Sequence, residues 1–339
     1  MCRKPRSDSG SVTPRPRTTL ARFLAFTLAC LPFGAAVAAP PPGPMPRPLW
    51  VQPGAPAAEM ATALRTNGSS EADLLDRLAD TPTGVWLGGW TSDPQSTVAD
   101  IMASSTMLAA VPVFVAYNIP NRDCNQYSAG GKADGASYLA WIQSVAAGLG
   151  NGDAIVILEP DSLIQMDCLS DSARQERLNL LRSAVATLAA HPGTRVYLDG
   201  GHPEALDAHE MAARLREAGV DAARGFALNV SNFVSTGENI QYGDSVVQAL
   251  GSDARYVVDT SRNGRDANGE WCNPFGRGLG EDPTLNTGLA SGDAFLWVKR
   301  PGESDGSCHG GPAAGAFWND YALELAKSAW EPKFSVLMR

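Results

Sequence analysis

Only four histidines occur in this 339-residue chain, and no cluster of cysteines accompanies them. That excludes a tetrahedral zinc centre of the usual His and Cys ligands. His209-Glu210 opens the H-E-x-x-H pattern, but Ala213 stands where the second histidine must be. A magnesium site built from carboxylates would need no histidine, yet no motif asks for one, so neither metal nor cofactor is expected. Basic stripes are also missing. The net charge is −9, and the first 38 residues hold Arg3, Lys4, Arg6, Arg15, Arg17 and Arg22 against Asp8, leaving the rest at −14. So acidic a body is a poor partner for nucleic acid. No apolar run reaches the roughly 20 residues of a membrane span. Gly276-x-Gly278-x-Gly280 lacks the strand before and helix after that a dinucleotide site needs. Gly302-Glu303-Ser304-Asp305-Gly306 has the spacing of a nucleophile elbow, but no helix follows and His309 is too near for the triad order.

What is present begins with an export leader: an Arg-rich start, an apolar run from Phe23 to Val37, and Ala36-Val37-Ala38 as a cleavage site, giving a signal peptide over 1–38. Thr27-Leu28-Ala29 before Cys30 makes a poor lipobox. Residues 39–48 read as a Pro-rich tether, and 49–339 as one folded domain, secreted or retained in a periplasm. Cys124, Cys168, Cys272 and Cys308 remain after the leader, enough for two disulfides, with three pairings open.

The chain is organised around Ala154-Ile155-Val156-Ile157-Leu158-Glu159-Pro160-Asp161. Five apolar residues read as a strand buried on both faces, as in a parallel sheet. Pro160 biases Glu159 toward an extended conformation and leaves Asp161 in the loop beyond the strand. Similar runs occur at 84–87, 111–116, 195–198, 225–228, 255–258 and 294–298, alternating with helical stretches. The clearest helix is 172–190, with Ser172 and Gln175 as a capping box and Leu178, Leu181, Val185 and Leu188 as its apolar stripe. Such alternation means a parallel sheet, closed as a barrel or open and doubly wound.

Polar residues decide between those two. Tyr117, Asn118, Arg122 and Asp123 follow the second strand, and Glu159 and Asp161 the third. Asp199 and His202 follow the fourth, Asn229 and Asn232 the fifth, Asp259, Ser261 and Arg262 the sixth, and Lys299, Glu303 and Asp305 the seventh. An open sheet gathers its ligand at one switch point, whereas a barrel collects all its loops round one rim. We therefore expect an α/β fold with a distorted, roughly seven-stranded parallel TIM-like barrel. Asp123, Asp161, Asp199, Asp259 and Asp305, with Trp86, Trp90, Trp271 and Trp297 nearby, suit hydrolysis of a glycosidic bond. One protonated acid serves the leaving oxygen, its pKa raised by neighbouring carboxylates, while indoles stack on sugar faces. Trp141, Trp297 and Trp330 are expected to pack in the core.

Seven ordered motifs carry a resemblance that spans the whole domain: 117–124, Glu159-Pro160-Asp161, 198–202, 259–264, 270–274, 286–288 and 296–306. They resemble the inverting cellulases of glycoside hydrolase family six. The resemblance implies a metal-free β-1,4-glucanase acting as a monomer on cello-oligosaccharide or glucan chains. It makes Asp161 the general acid and Asp123 the second carboxylate, which relays a proton from the attacking water. Asp305 resembles the residue long proposed as base, and Tyr117 would press on the sugar at the cleavage point. Trp86, Trp271, Lys299 and Glu303 look like glucose-binding positions, joined by His202, Asn229 and Asn232, with Asp199 supporting the acid. The family pairs Cys124 with Cys168 and Cys272 with Cys308.

Two departures stand out. Family members often carry a tryptophan just after the Gly-His of the fourth-strand motif, where Pro203-Glu204-Ala205-Leu206 has none, and some relatives have a serine at the place of Ala129. Only a short stretch separates Gly306 from the last helix, so no long insertion roofs the cleft, and the expected action is on internal bonds. The alternatives are an exo-acting cellobiohydrolase of this family, a non-catalytic glucan-binding protein on this fold, and a metal-dependent barrel enzyme.

Overall fold

The computed structural model describes residues 47–329. The leader, most of the tether and Trp330 lie outside the described residues. The folded body takes in the tether's last residues: Val111 N donates to Pro48 O and Trp50 N to Val111 O.

Two helices come first, α1 (Pro56–Thr66) and α2 (Ala72–Ala79). Then strands and helices alternate: β1 (Val85–Leu87), α3 (Pro94–Met107), β2 (Val113–Ala116), α4 (Gly135–Leu149), β3 (Ala154–Leu158), α5 (Asp171–Ala189) and β4 (Thr194–Asp199). They continue with α6 (Ala208–Glu217), β5 (Gly225–Leu228), α7 (Thr236–Leu250), β6 (Arg255–Asp259), β7 (Gly292–Leu296) and α8 (Asn319–Lys327). All six strand pairings are parallel, in the order β1 to β7. The two edges meet locally, through Gly84 N to Trp297 O, the Trp86 indole N–H to Val298 O and Arg300 Nε to Gly84 O. That is the expected distorted barrel.

The side chains explain the closure. Alternate residues of the strands, among them Val113, Val115, Ile155, Ile157, Tyr197, Ala227, Val257 and Leu296, fill the barrel interior. The intervening ones, such as Phe114, Val156, Leu158, Leu198 and Phe226, join the helix faces in a second buried layer. The α5 stripe Leu178, Leu181, Val185 and Leu188 is buried there, as expected. Trp141 and Trp297 are core residues too.

Four expectations need correction. The α5 cap is Ser170, whose hydroxyl accepts from Ala173 N, so the helix begins before Ser172 and no box with Gln175 forms. β7 begins two residues earlier than the apolar run, because a bulge opposite Tyr256 and Val257 shifts its register. No helix joins β6 to β7 among the described residues; 260–291 is a long irregular connection. Glu159 is not extended: its φ is 52°, a left-handed conformation that side chains rarely adopt. Its carboxylate explains this, since it accepts hydrogen bonds from Asn118 N at 3.0 Å and Ile119 N at 3.1 Å. Those bonds outweigh the proline bias and turn the chain abruptly at the strand's end.

Candidate active site

A cleft of about 820 Å³ opens over the carboxyl ends of the strands. Ten of the twelve candidates line it: Tyr117, Asp123 and Asp161; Trp86, His202 and Asn232; Trp271, Lys299, Glu303 and Asp305. Asp199 and Asn229 do not. Asn229 is fully buried, its amide donating to Asp259 O and accepting from Val234 N, so it shapes the β5 loop rather than touching a ligand. Asp199 lies one layer beneath the cleft, where its carboxylate accepts from Asp161 N at 2.9 Å.

The two carboxylates of the β2 and β3 loops sit on strained backbone, with φ 59° at Asp123 and 66° at Asp161. Such strain persists only when the surroundings over-determine it. Here three devices do so. Cys124 is bonded to Cys168, joining the two loops. Arg177, buried on α5, donates to Pro120 O and Asn121 O on one loop and to Ser162 O and Gln165 O on the other. Glu159 holds the start of the β2 loop from beneath. Arg177 was missed from the sequence, although an arginine at position i of the stripe Leu181, Val185 and Leu188 signals a buried guanidinium with carbonyls to satisfy.

Asp161 has its carboxyl pushed up to about 7, first by burial and then by the charges of Asp123 and Asp305. The sequence argument named the neighbours; burial is the larger cause. Asp123 is also raised by burial, against the pull of hydrogen bonds from Ser128 N (2.6 Å) and Gln165 Nε2 (3.3 Å). The Tyr117 phenol, buried and beside both carboxylates, stays neutral. Its ring is held between Arg122, whose guanidinium carbon lies 4.4 Å from the centroid, and the edge of Trp86 at 5.4 Å.

Asp305 is set differently. Arg262 Nη1 reaches its two oxygens at 3.0 and 2.8 Å, Lys299 Nζ lies 3.6 Å away, and Asn273 N donates at 3.0 Å. Burial raises this carboxyl, but Arg262 and Lys299 outweigh it and hold it below the usual range. Asn273, between Cys272 and Pro274, also accepts from Asp305 N at 2.7 Å. The Cys272–Cys308 disulfide closes the same loop. The two pairings implied by the family resemblance are therefore the ones formed. Asp259 ties the remaining strand ends together, accepting from Ser231 N, Ser261 N, Val298 N and Lys299 N.

Aromatic rings border the cleft. Trp86 lies under Lys299, whose ammonium is 5.9 Å from its ring. Trp271 pairs with Tyr127 at 6.0 Å between centroids, and both are half exposed. Gly306 packs so close to Tyr127 that a Cβ there would come within 2.4 Å of the ring. Tyr127, Arg262 and Asn273 had no assigned role in the sequence reading; the last two fall inside quoted motifs but become visible only through their contacts with Asp305. Near His202, which burial pulls down to about 4, the lining residues Ile164 and Glu204 supply no ring. No group of three or more His, Cys, Asp or Glu among the described residues is arranged to hold a metal ion.

The model for Glycosyl hydrolases family 6 matches residues 45–329. "Endoglucanase A" of Cellulomonas fimi is 44% identical over 266 residues, 78% of this chain and 58% of its own length. The chain thus spans less than two thirds of that relative. "Endoglucanase 1" of Streptomyces halstedii is 40% identical over 316 residues, 90% of this chain and 97% of its own. Among solved structures, the endoglucanase Cel6 of Mycobacterium tuberculosis, in complex with methyl-cellobiosyl-4-deoxy-4-thio-β-D-cellobioside, matches with TM-score 0.78 and 45% identity, covering 83% of this chain and 97% of that one.

Proposed function

The chain belongs to glycosyl hydrolases family 6, and from that premise we propose that it is an exported endo-β-1,4-glucanase that cuts internal bonds of cellulose-type glucans with inversion. The observation that carries this reading is Asp161: a carboxyl at the floor of an open, aromatic-lined cleft, holding its proton to about pH 7. A general acid must be protonated at working pH and lie where the leaving oxygen departs.

In the proposed reaction the glycosidic C–O bond breaks as Asp161 gives its proton to the leaving oxygen. Tyr117 presses on the sugar at that point, and Trp86 and Trp271 stack on neighbouring rings. Water attacks the anomeric carbon from the opposite face, and its proton passes to Asp123. Asp161 then regains a proton and Asp123 loses one through solvent. Asp123 suits the acceptor role better than Asp305, because burial has raised its basicity while Arg262 and Lys299 occupy Asp305. Asp305 instead balances those cations, while Lys299 and Glu303, which line the cleft, also offer polar atoms to sugar hydroxyls.

Endo action is supported by the short connection from Gly306 to α8, which begins at Asn319, with Ala314 and Gly315 at the cleft wall. Export is supported by the leader, and no helix among the described residues is long and apolar enough to cross a membrane. The reading includes monomeric action without metal or cofactor. It is tested by proton NMR of cellopentaose hydrolysis in EDTA. The α-anomer should appear first, with viscosity of soluble cellulose falling ahead of reducing-end release. First appearance of the β-anomer would refute inversion, and dominant chain-end release would refute endo action.

A further inference from the structure

At the other end of the barrel, the strands begin with a concentration of cations that the cleft does not use. Arg195 on β4, Arg224 just before β5 and Arg255 at the start of β6 line a cavity of about 430 Å³, with Tyr197 and Asp293 and with the turn 285–289 at its edge. In a chain with 36 acidic residues and 27 basic ones, three arginines around one lining carboxylate run against the overall balance.

Asp293 is saturated. It accepts from Arg224 Nε at 2.7 Å and Nη2 at 3.1 Å, from Arg255 Nε at 2.9 Å and from the Tyr197 hydroxyl at 2.8 Å. A carboxylate offers about four lone-pair sites, so no capacity is left for further donors. Two guanidinium groups share a single negative charge, and neither Arg224 Nη1 nor Arg255 Nη2 is spent on it. Guanidinium forks fit oxyanions in two-pronged fashion, and partial burial strengthens such bonds. Arg224 and Asp293 are only 13% and 17% exposed. Structural bracing accounts for Asp293, but not for the second positive charge that Arg224 and Arg255 together bring to this single carboxylate beside an open volume.

We propose that this amino-end mouth of the barrel is a binding site for a small dianionic oxyanion of the phosphate and sulfate class, held by Arg224 and Arg255 with Arg195 beside them. Occupancy adds a further partner to the ring of strand ends β4 to β7 and stabilises the fold by mass action. The site is separate from the hydrolytic cleft and does not depend on the proposed function.

The test uses the mature protein, titrated with inorganic phosphate and with sulfate at constant ionic strength maintained by chloride, followed by calorimetry and thermal melting. Saturable heat, with a Tm that rises with phosphate or sulfate and not with chloride, is expected. Arg255→Gln should weaken binding at least tenfold, and Asp293→Asn, which removes the competing carboxylate, should tighten it. Hydrolytic rate should be unchanged in Arg255→Gln, which certifies its fold. Absence of a saturable effect beyond chloride, or wild-type affinity in a folded Arg255→Gln, overturns the proposal. Should Asp293→Asn fail to fold, the comparison of wild type with Arg255→Gln still decides.

Discussion

Asp161 and Asp305 face one cleft from the loops after β3 and β7, both are aspartates largely out of water, and their carboxyl groups are pushed in opposite directions. The difference lies in what stands behind each. Asp161 has a backbone N–H held by Asp199 and the charges of Asp123 and Asp305 in front of it, so burial prevails and the proton stays. Asp305 has a fully buried guanidinium and an ammonium, and they reverse the effect of burial. Burial sets the size of a carboxyl's response to its neighbours, and the neighbours' sign then decides whether it becomes an acid or a counter-ion.

The largest expected effect comes from removing the proton donor. Asp161→Asn should lower hydrolysis of unactivated cello-oligosaccharides by about 10²- to 10⁴-fold without loss of the fold, as judged by circular dichroism and turnover. A wild-type rate in the folded variant would remove Asp161 from the acid role.

Arg262→Met attacks the other side of the comparison. It removes the guanidinium that reaches both Asp305 oxygens and leaves only Lys299 to balance a buried carboxylate, so the cost should approach the about 3–5 kcal/mol typical of breaking a buried pair. In wild type the depressed Asp305 carboxyl contributes stability above its unfolded value that is lost as pH falls through the folded one. In the variant the carboxyl should rise, so the deficit is greatest at neutral pH and shrinks in acid. Urea unfolding at pH 7 and pH 4.5 measures both; an equal or larger deficit in acid would show that charge pairing is not what Arg262 supplies.

The smallest effect sharpens the contrast through pH. Because the folded carboxyl of Asp161 lies near 7, above its ordinary 3.8, its contribution to stability is present in acid and declines as pH rises through about 7. The loss runs from about 3.8 up to about 7 and Asp161→Asn removes it, so the variant's Tm should match that of wild type only near pH 3.8 and exceed it by a few degrees at pH 8. A gap that does not depend on pH would mean that the substitution acts through packing instead.

Much of this arrangement was legible beforehand. The apolar runs at 154–158 and 225–228 became strands with unchanged bounds, because a strand buried on both faces leaves a continuous apolar signature. Polar residues gathered after six of the seven runs marked the rim, since every strand of a parallel barrel points the same way. Other features left no local trace. Ser172 and Ser170 are equivalent as caps in sequence, and only the helix's docking selects one. Asn229 and Asn232 share a loop, and only the fold sends one inward to Asp259 and the other to the cleft.

The sequence by itself determined the parallel α/β alternation, the acidic rim and which residue types could perform acid–base chemistry, because periodicity and composition are properties of short segments. The tertiary structure alone decided that Glu159 turns left-handed to grip Asn118 and Ile119, that Arg177 ties two loops together, and that Arg262 makes Asp305 a counter-ion while Asp161 keeps its proton. A pKa, and with it a role, depends on burial and on charges tens of residues away in the chain. Those neighbours are set only when the barrel closes.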